Sequence, residues 1–236
     1  MAGATSLYPV AKALIAAYAE RYPQVRIHLE TEMLRDGVQA VRSGQADIGL
    51  VARDLPMGDG LEGLSATPIG LDGIVIAVNA RNPIKALSLE QLRQLYTGAV
   101  FNWAKVGGKD VEVQVVSREA GSDTRQVFEA KVMLGRRVTL QAVVVPNSEA
   151  VSQYIKVNES AIGYLTASYL QPGLKGLMLE GVPPDKAAVR SGAYPLVRPL
   201  FLVTRADAPE PVRAFVAFAL SQAGQAIVAR YHAKLP

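Results

Sequence analysis

From residue 115 to residue 125 the chain reads VVSREAGSDTR, an apolar run that passes through a Gly-Ser turn into a polar segment. The run predicts a buried strand, and Phe128 and Val132 extend the pattern as the apolar stripe of a helix that begins near Ser122. Free N–H groups at a helix start, hydroxyl side chains and the Arg118 guanidinium together favour binding of a small anion. A simpler interpretation is that Ser122 only caps the helix.

Helix and strand patterns alternate in both directions from this unit. Such alternation with short connections predicts an α/β fold in which a mainly parallel sheet is flanked by helices. The predicted helices span residues 9–21, 37–43, 88–96, 122–134, 148–156, 209–221 and 223–233, and the predicted strands span residues 25–29, 46–51, 74–78, 111–117, 140–145, 161–165 and 200–204.

The elements form two α/β sets, and two segments connect them. The apolar strand near residue 74 ends the first set, and the proline-rich stretch 181–199 ends the second. We expect one lobe from residues 1–75 and 200–236 and a second lobe from residues 80–190. The hinge crossings are expected near residues 74–79 and 194–199.

Composition excludes several classes of protein. The chain has 236 residues, of which 50% are hydrophobic and 19% charged, so it can bury a substantial core. Its net charge is +4, and its charged residues are distributed along the chain without a basic run, which argues against nucleic acid as a partner. Cysteine is absent, so disulfides and thiol catalysis are excluded.

Enzymatic chemistry also finds little support. His28 and His232 are the only histidines, and they predict neither a metal cluster nor a Ser-His-Asp triad. We therefore expect no catalytic residues, no metal and no cofactor. An enzyme acting on a phosphate ester through Ser122 is the weakest alternative, because no base accompanies the serine.

Membrane and targeting signals are not evident in the sequence. Its longest apolar stretches are far shorter than the roughly 20 residues that cross a bilayer. The first residues, MAGATS, lack a basic region and an apolar region of a signal peptide. From the residues alone, we expect either a cytoplasmic protein or a mature chain to which Met1 was added.

A second hydroxyl-bearing turn, GATSLYP at residues 3–9, directly precedes the first predicted helix. Helix capping alone would explain it. Because one such turn falls in each predicted lobe, the pair favours a small oxyanion held in a cleft, where small-molecule sites usually lie.

Taken together, these motifs resemble the phosphate-binding proteins of ABC uptake systems, within the class II periplasmic binding fold. The resemblance runs nearly end to end, and its most specific part is the segment 118–125. The motifs are GATSLYP at 3–9, GQADIG at 44–49, DGIVIAVN at 72–79, LEQL at 89–92, NW at 102–103 between Gly98 and Gly108, REAGSDTR at 118–125, AIGY at 161–164 and YPL at 194–196.

The resemblance implies a set of ligand-binding residues. The first turn would supply hydroxyls, and the middle segment would supply a guanidinium, two hydroxyls and a backbone N–H. The implied residues are Thr5, Ser6, Arg118, Ser122, Asp123 and Thr124. At Asp123 relatives usually have glycine, so a carboxylate here stands beside the anion.

Two departures from the family pattern concern the first lobe. Residues 33–36 read MLRD where relatives carry a Gly-Ser-Gly helix start, and Ala52 stands where some relatives have an acidic acceptor. Arg35 and Arg53 are candidates to replace neutral donors with charge, and Asp36 or Asp123 is a candidate acceptor. Each is equally explained as an exposed loop residue.

The expected function is therefore that of a non-catalytic, monomeric protein in which two lobes close on inorganic phosphate or a related oxyanion. By resemblance, an ABC transporter permease in the membrane would receive the ligand, and the protein would be periplasmic or anchored outside the cell, with its signal segment missing from this sequence. A sensor or scaffold domain of the same fold, with altered or lost phosphate binding, is the alternative.

Overall fold

The structure is a computed structural model that describes residues 1–31, 36–55 and 59–235. It divides into two compact units. Unit 1 comprises Met1–Asp72 and Arg198–Pro236, and unit 2 comprises Gly73–Val197. The chain therefore passes between the units twice, at Asp72–Gly73 and at Val197–Arg198.

Strands and helices alternate along most of the chain. The strands are β1 (Ala2–Gly3), β2 (Ile48–Val51), β3 (Leu64–Asn79), β4 (Ala86–Leu87), β5 (Gln114–Arg118), β6 (Val143–Val145), β7 (Ala161–Thr166), β8 (Leu174–Gly176), β9 (Met178–Leu179) and β10 (Val197–Arg205). The helices are α1 (Tyr8–Arg21), α2 (Gly37–Arg42), α3 (Leu89–Thr97), α4 (Asp123–Phe128), α5 (Ser148–Val157), α6 (Lys186–Ser191), α7 (Glu210–Leu220) and α8 (Gln222–Tyr231).

Unit 1 is built on a small mixed sheet. Strand β1 pairs parallel with β2, β10 pairs antiparallel with β2, and β3 follows β10 in the strand order. Helix α1 has Pro9 in its first turn, where proline is well tolerated, and it buries Leu14 and Tyr18 against α7 and α8. The Tyr18 ring meets Phe215 edge-on, with ring centroids 5.2 Å apart. This apolar packing fixes α1, which is separated from β1 by only four residues.

Within unit 2 the strand order is β3-β7-β5-β6, and β8 also pairs with β3. Strand β5 pairs parallel with β6 and β7, whereas β3 pairs antiparallel with β7 and β8. Helix α3 starts with a capping box between Ser88 and Gln91. The Phe128 and Tyr164 rings stack with centroids 4.1 Å apart and pack α4 onto β7.

The predicted α/β class is confirmed, and most predicted elements lie within a few residues of the observed ones. The strand predicted at residues 25–29 is wrong: this segment has no strand, although Val25, Ile27 and Leu29 pack against the core of unit 1. The Met1 amino group donates to the His28 carbonyl at 2.7 Å, and the Val25 N–H donates to the Tyr22 carbonyl at 3.0 Å. The apolar alternation in this segment therefore arises from side chains that pack on the core, although no neighbouring strand pairs with its backbone.

The helix predicted at 122–134 changes type along its length. Its α-helical part, α4, passes into a π-helix over Glu129–Met133, which ends at Leu134 with a φ of 48°. Among the described residues, no single helix is long and apolar enough to cross a membrane, and α7 with α8 passes that test only as a pair bent by 65°.

Candidate anion-binding site

Arg118 is the last residue of β5, and its side chain is only 1% exposed. Its backbone N–H donates to the Tyr164 hydroxyl at 3.2 Å, and that hydroxyl also lies 2.9 Å from the Ser117 Oγ. Burial raises the pKa of Tyr164, so its hydroxyl remains protonated near neutral pH. The end of β5 is thus held rigidly from the neighbouring strand β7.

Four hydrogen bonds fix the Arg118 guanidinium. Its Nε and Nη2 each donate to the Glu119 carboxylate at 3.0 Å. Its Nη2 also donates to the Pro146 carbonyl at 3.2 Å, and its Nη1 donates to the Ser148 Oγ at 3.3 Å. Because a guanidinium has five N–H donors, one N–H on Nη1 has no protein acceptor among the described residues. Arg118 is therefore a preoriented cation with part of its charge already paired.

The turn after β5 leads into the first turn of α4. Ser122 caps this helix, and its Oγ accepts from the Arg125 N–H at 3.3 Å. Asp123 and Thr124 follow as the first residues of α4, and both are buried. Arg125 in turn donates from Nη1 to the Arg118 carbonyl at 2.8 Å. Ser122 thus caps α4, and capping leaves its hydroxyl hydrogen available as a donor.

Thr5 and Ser6 lie in a 3-10 turn, Thr5–Leu7, between β1 and α1. The position of this turn depends on Gly3, because a Cβ there would lie 2.2 Å from the Leu50 carbonyl oxygen and the φ of Gly3 is 137°. The Ala4 N–H donates to that same oxygen at 2.9 Å. Close approach of β1 to β2 thus fixes the two hydroxyl residues.

The Ser6 hydroxyl is buried, with 2% of the residue exposed, and its Oγ has no hydrogen-bond partner among the described residues. The Tyr8 hydroxyl is likewise buried without a partner in the described part of the chain. Burial, followed by the nearby charge of Glu30, raises the pKa of Tyr8, which keeps it protonated. An unpaired buried hydroxyl is costly, and an oxyanion would satisfy it.

Asp36 caps α2, and its Oδ1 accepts from the Val38 and Gln39 N–H groups at 2.8 and 3.2 Å. Its Oδ2 accepts from the Arg53 Nη2 at 2.7 Å. Although burial opposes ionisation, these hydrogen bonds together hold the pKa of Asp36 below its usual value. Asp36 is thus an ionised cap whose two oxygens both have protein partners.

The predicted site residues form one group in unit 1 and another group in unit 2. In unit 2, Arg125 hydrogen-bonds to both Arg118 and Ser122, and Asp123 and Thr124 follow Ser122 in α4. In unit 1, Arg53 donates to Asp36. Arg35 lies outside the described residues. Sequence reasoning gave no role to Glu119, although an acidic residue next to an arginine is a signal for such a pair.

Comparison with known proteins agrees with this description. Residues 1–223 match the PBP superfamily domain. A protein of Clostridium perfringens assigned as a phosphate ABC transporter substrate-binding protein, whose crystal structure holds phosphate, is 32% identical, with a TM-score of 0.94 over 100% of this chain and 98% of that one. An ABC-type phosphate transport receptor from Vibrio cholerae is 26% identical, with a TM-score of 0.82 over 100% and 98%.

A relative with a similar sequence is also a phosphate-binding protein. The phosphate-binding protein PstS of Bacillus subtilis is 27% identical over 225 residues, which cover 94% of this chain and 75% of the relative. The structure, a mixed α/β fold with a central sheet flanked by helices, matches those of the type II periplasmic binding proteins, which confirms the predicted fold class. The chain belongs to the PBP superfamily and, within it, to the PstS-like substrate-binding proteins of phosphate ABC transporters, which are not enzymes.

Proposed function

We propose that this protein binds inorganic phosphate and delivers it to an ABC transporter. The observation that carries the proposal is the similarity, along the whole chain, to a protein whose structure contains bound phosphate. The buried donors of this chain give that similarity a chemical basis, because they fall on the segments that carry the family resemblance.

In unit 2, the Arg118 guanidinium supplies the main positive charge, through the N–H on Nη1 that has no acceptor among the described residues. Ser122 and Thr124 supply hydroxyls, and Asp123 supplies its backbone N–H. Charge-assisted hydrogen bonds of this kind are the strong ones in anion recognition. Their common position at the end of β5 and the start of α4 supports this assignment.

In unit 1, Thr5 and Ser6 supply the remaining hydroxyls. The buried Ser6 Oγ supports this assignment because it has no partner in the described part of the chain. Arg53 is proposed as a secondary cation, oriented by Asp36. Arg35 stays a secondary candidate on sequence grounds alone.

Asp123 is proposed as the acceptor that favours phosphate over sulfate. Near neutral pH phosphate carries a proton and sulfate carries none, so a carboxylate accepts a hydrogen bond from the first and repels the second. Asp123 suits this role because it is buried between Ser122 and Thr124, at the start of α4, where the other proposed unit 2 donors lie.

The two units are proposed to act as the two lobes, with hinges near the passages at Asp72–Gly73 and Val197–Arg198. A ligand favours a closed state only as far as it contacts both lobes. A permease would recognise the closed form. We propose that the protein works as a monomer outside the cytoplasm, in the periplasm or anchored to the membrane.

One observation favours the alternative, a sensor or scaffold domain with altered binding. Glu119 already accepts two hydrogen bonds from Arg118, so an anion must bind a guanidinium whose charge is partly neutralised. In this alternative the same fold responds to a different signal, and phosphate binds weakly or not at all.

Titration calorimetry with phosphate, sulfate and arsenate tests the proposal. We expect saturable phosphate binding, with sulfate weaker. Arsenate has the shape and protonation of phosphate and serves as the positive control. Absence of phosphate binding by the folded protein would contradict the proposed function and favour the sensor or scaffold role.

A further inference from the structure

Each of the two passages between the units has a completely buried charged residue on its unit 1 side. Asp72 is the last residue of unit 1 before the first passage, and Arg198 is its first residue after the second. Both side chains are 0% exposed. The Arg198 Nε and Nη2 donate to the Asp72 Oδ2 at 2.9 and 2.7 Å, which joins strands β3 and β10 where both leave unit 1.

The same pair contacts two further segments of unit 1. The Arg198 Nη1 donates to the Ala52 carbonyl at 3.0 Å, immediately before Arg53. The His232 Nδ1 lies 3.2 Å from the Asp72 Oδ1. Beside it, Leu71 and Ala233 exchange two backbone hydrogen bonds, of 2.8 and 2.9 Å. This buried cluster thus connects both crossing strands to the turn after β2 and to the C-terminal segment.

Unit 2 holds the other ends of the two passages with its own contacts. The Ile74 N–H donates to the Leu196 carbonyl at 2.8 Å, and the Tyr194 hydroxyl donates to the Ile74 carbonyl at 3.1 Å. The Lys131 Nζ donates to the Val197 carbonyl at 2.5 Å. The chain is therefore held by hydrogen bonds on both sides of each passage.

Burial of this ion pair is not explained by stability alone. Removing two charges from water is costly, and well-packed apolar residues often stabilise a core equally well. Apolar side chains, however, lack the directional hydrogen bonds that hold two strands in one relative position. The pair therefore supplies a geometric constraint at the point where the chain leaves unit 1.

We propose that Asp72 and Arg198 are positioning residues that lock the two hinge strands together, so that the units move about one defined axis. The same guanidinium holds the Ala52 carbonyl and so places Arg53. The link to ligand binding rests on the proposed function, whereas the hinge constraint itself does not depend on any ligand.

The test replaces Asp72→Asn together with Arg198→Met, which removes both charges and leaves an oxygen for His232. Because the chain contains no cysteine, spin labels can be attached to introduced cysteine pairs alone. Glu20→Cys with Glu149→Cys reports the distance between the units, and Glu20→Cys with Gln45→Cys reports a distance within unit 1. All three label sites are exposed.

Without any ligand, we expect the distance distribution between the units to broaden in the double variant, while the distribution within unit 1 keeps its width. If the binding-competent state becomes about tenfold less populated, the apparent Kd for phosphate rises by the same factor, about tenfold. Arg205→Met is the matched control, since Arg205 ends the same strand but pairs with Asp207 at the surface. It should change neither distribution.

If the distance distribution between the units keeps its width in the double variant, the proposal is overturned. Broadening of both distributions would also overturn it, because the ion pair would then only stabilise the core of unit 1. If the double variant does not fold, Arg198→Lys replaces it, keeping the charge but losing the guanidinium geometry, and an intermediate broadening is expected. If the parent protein does not bind phosphate, the proposed function is contradicted. The comparison of distance distributions without ligand would still decide the hinge proposal.

Discussion

Replacing Arg118 with alanine tests the candidate site most directly. The substitution removes the proposed main cation, together with four hydrogen bonds from the guanidinium to the protein. Loss of a charge-assisted contact costs at least about 2 kcal/mol of binding free energy. We therefore expect the Kd for phosphate to rise by about 30-fold or more.

The effect on folding should be smaller and of a different kind. The Glu119 side chain is 20% exposed, so water can solvate its carboxylate when Arg118 is lost. The Pro146 carbonyl loses its donor, which costs about 1–3 kcal/mol of unfolding free energy if no water replaces it. Urea unfolding measures this cost separately from the calorimetric Kd.

Arg93→Ala is the matched control in the same unit. Arg93 is also largely buried and donates from Nε to the Val132 carbonyl at 2.6 Å, and it is not among the proposed phosphate-binding residues. It should lower the unfolding free energy and leave the Kd unchanged. A phosphate Kd in Arg118→Ala within about twofold of the parent, with the fold intact, would remove Arg118 from the site.

Four further substitutions and conditions test other steps. Asp123→Asn should narrow the ratio between phosphate and sulfate affinity in calorimetry, and an unchanged ratio would contradict its role as acceptor. Ser6→Ala should raise the phosphate Kd about two- to tenfold, for a lost hydrogen bond of roughly 0.5–1.5 kcal/mol, without lowering the melting temperature, because its buried Oγ has no partner among the described residues. Gly3→Ala should lower the unfolding free energy, because its Cβ would lie 2.2 Å from the Leu50 carbonyl oxygen; equal urea midpoints would refute this. The pKa of Asp36 is lowered on folding, so its stabilising effect is complete above the usual value of 3.8 and is lost as the pH falls through the lower folded-state pKa; urea unfolding at acidic pH should show less dependence on pH in Asp36→Asn.

The sequence by itself determined the local structure and the identity of the family. Apolar periodicity placed α1, since a helix that buries one face on a core repeats apolar residues every three or four positions. The segment 115–125 predicted a strand, a turn and a helix start, because an apolar run was followed by a Gly-Ser turn and serine is favoured as the residue that caps a helix. The apolar alternation at residues 25–29 predicted a strand that is not present. Alternation of this kind indicates that side chains pack on a core, and it does not show whether a neighbouring strand is available for pairing.

Only the tertiary structure decided which charged groups meet. Asp72 and Arg198 are 126 positions apart, and their pairing depends on the register of two long strands, which local periodicity does not encode. Likewise, the isolation of the Ser6 hydroxyl depends on which side chains surround it after folding. The Arg118–Glu119 pair joins adjacent residues, but their shared geometry required the end of β5 to be fixed by the Tyr164 hydroxyl of β7. Hydrogen bonding of buried groups is set by the packed environment, because only there is water no longer available as the competing partner.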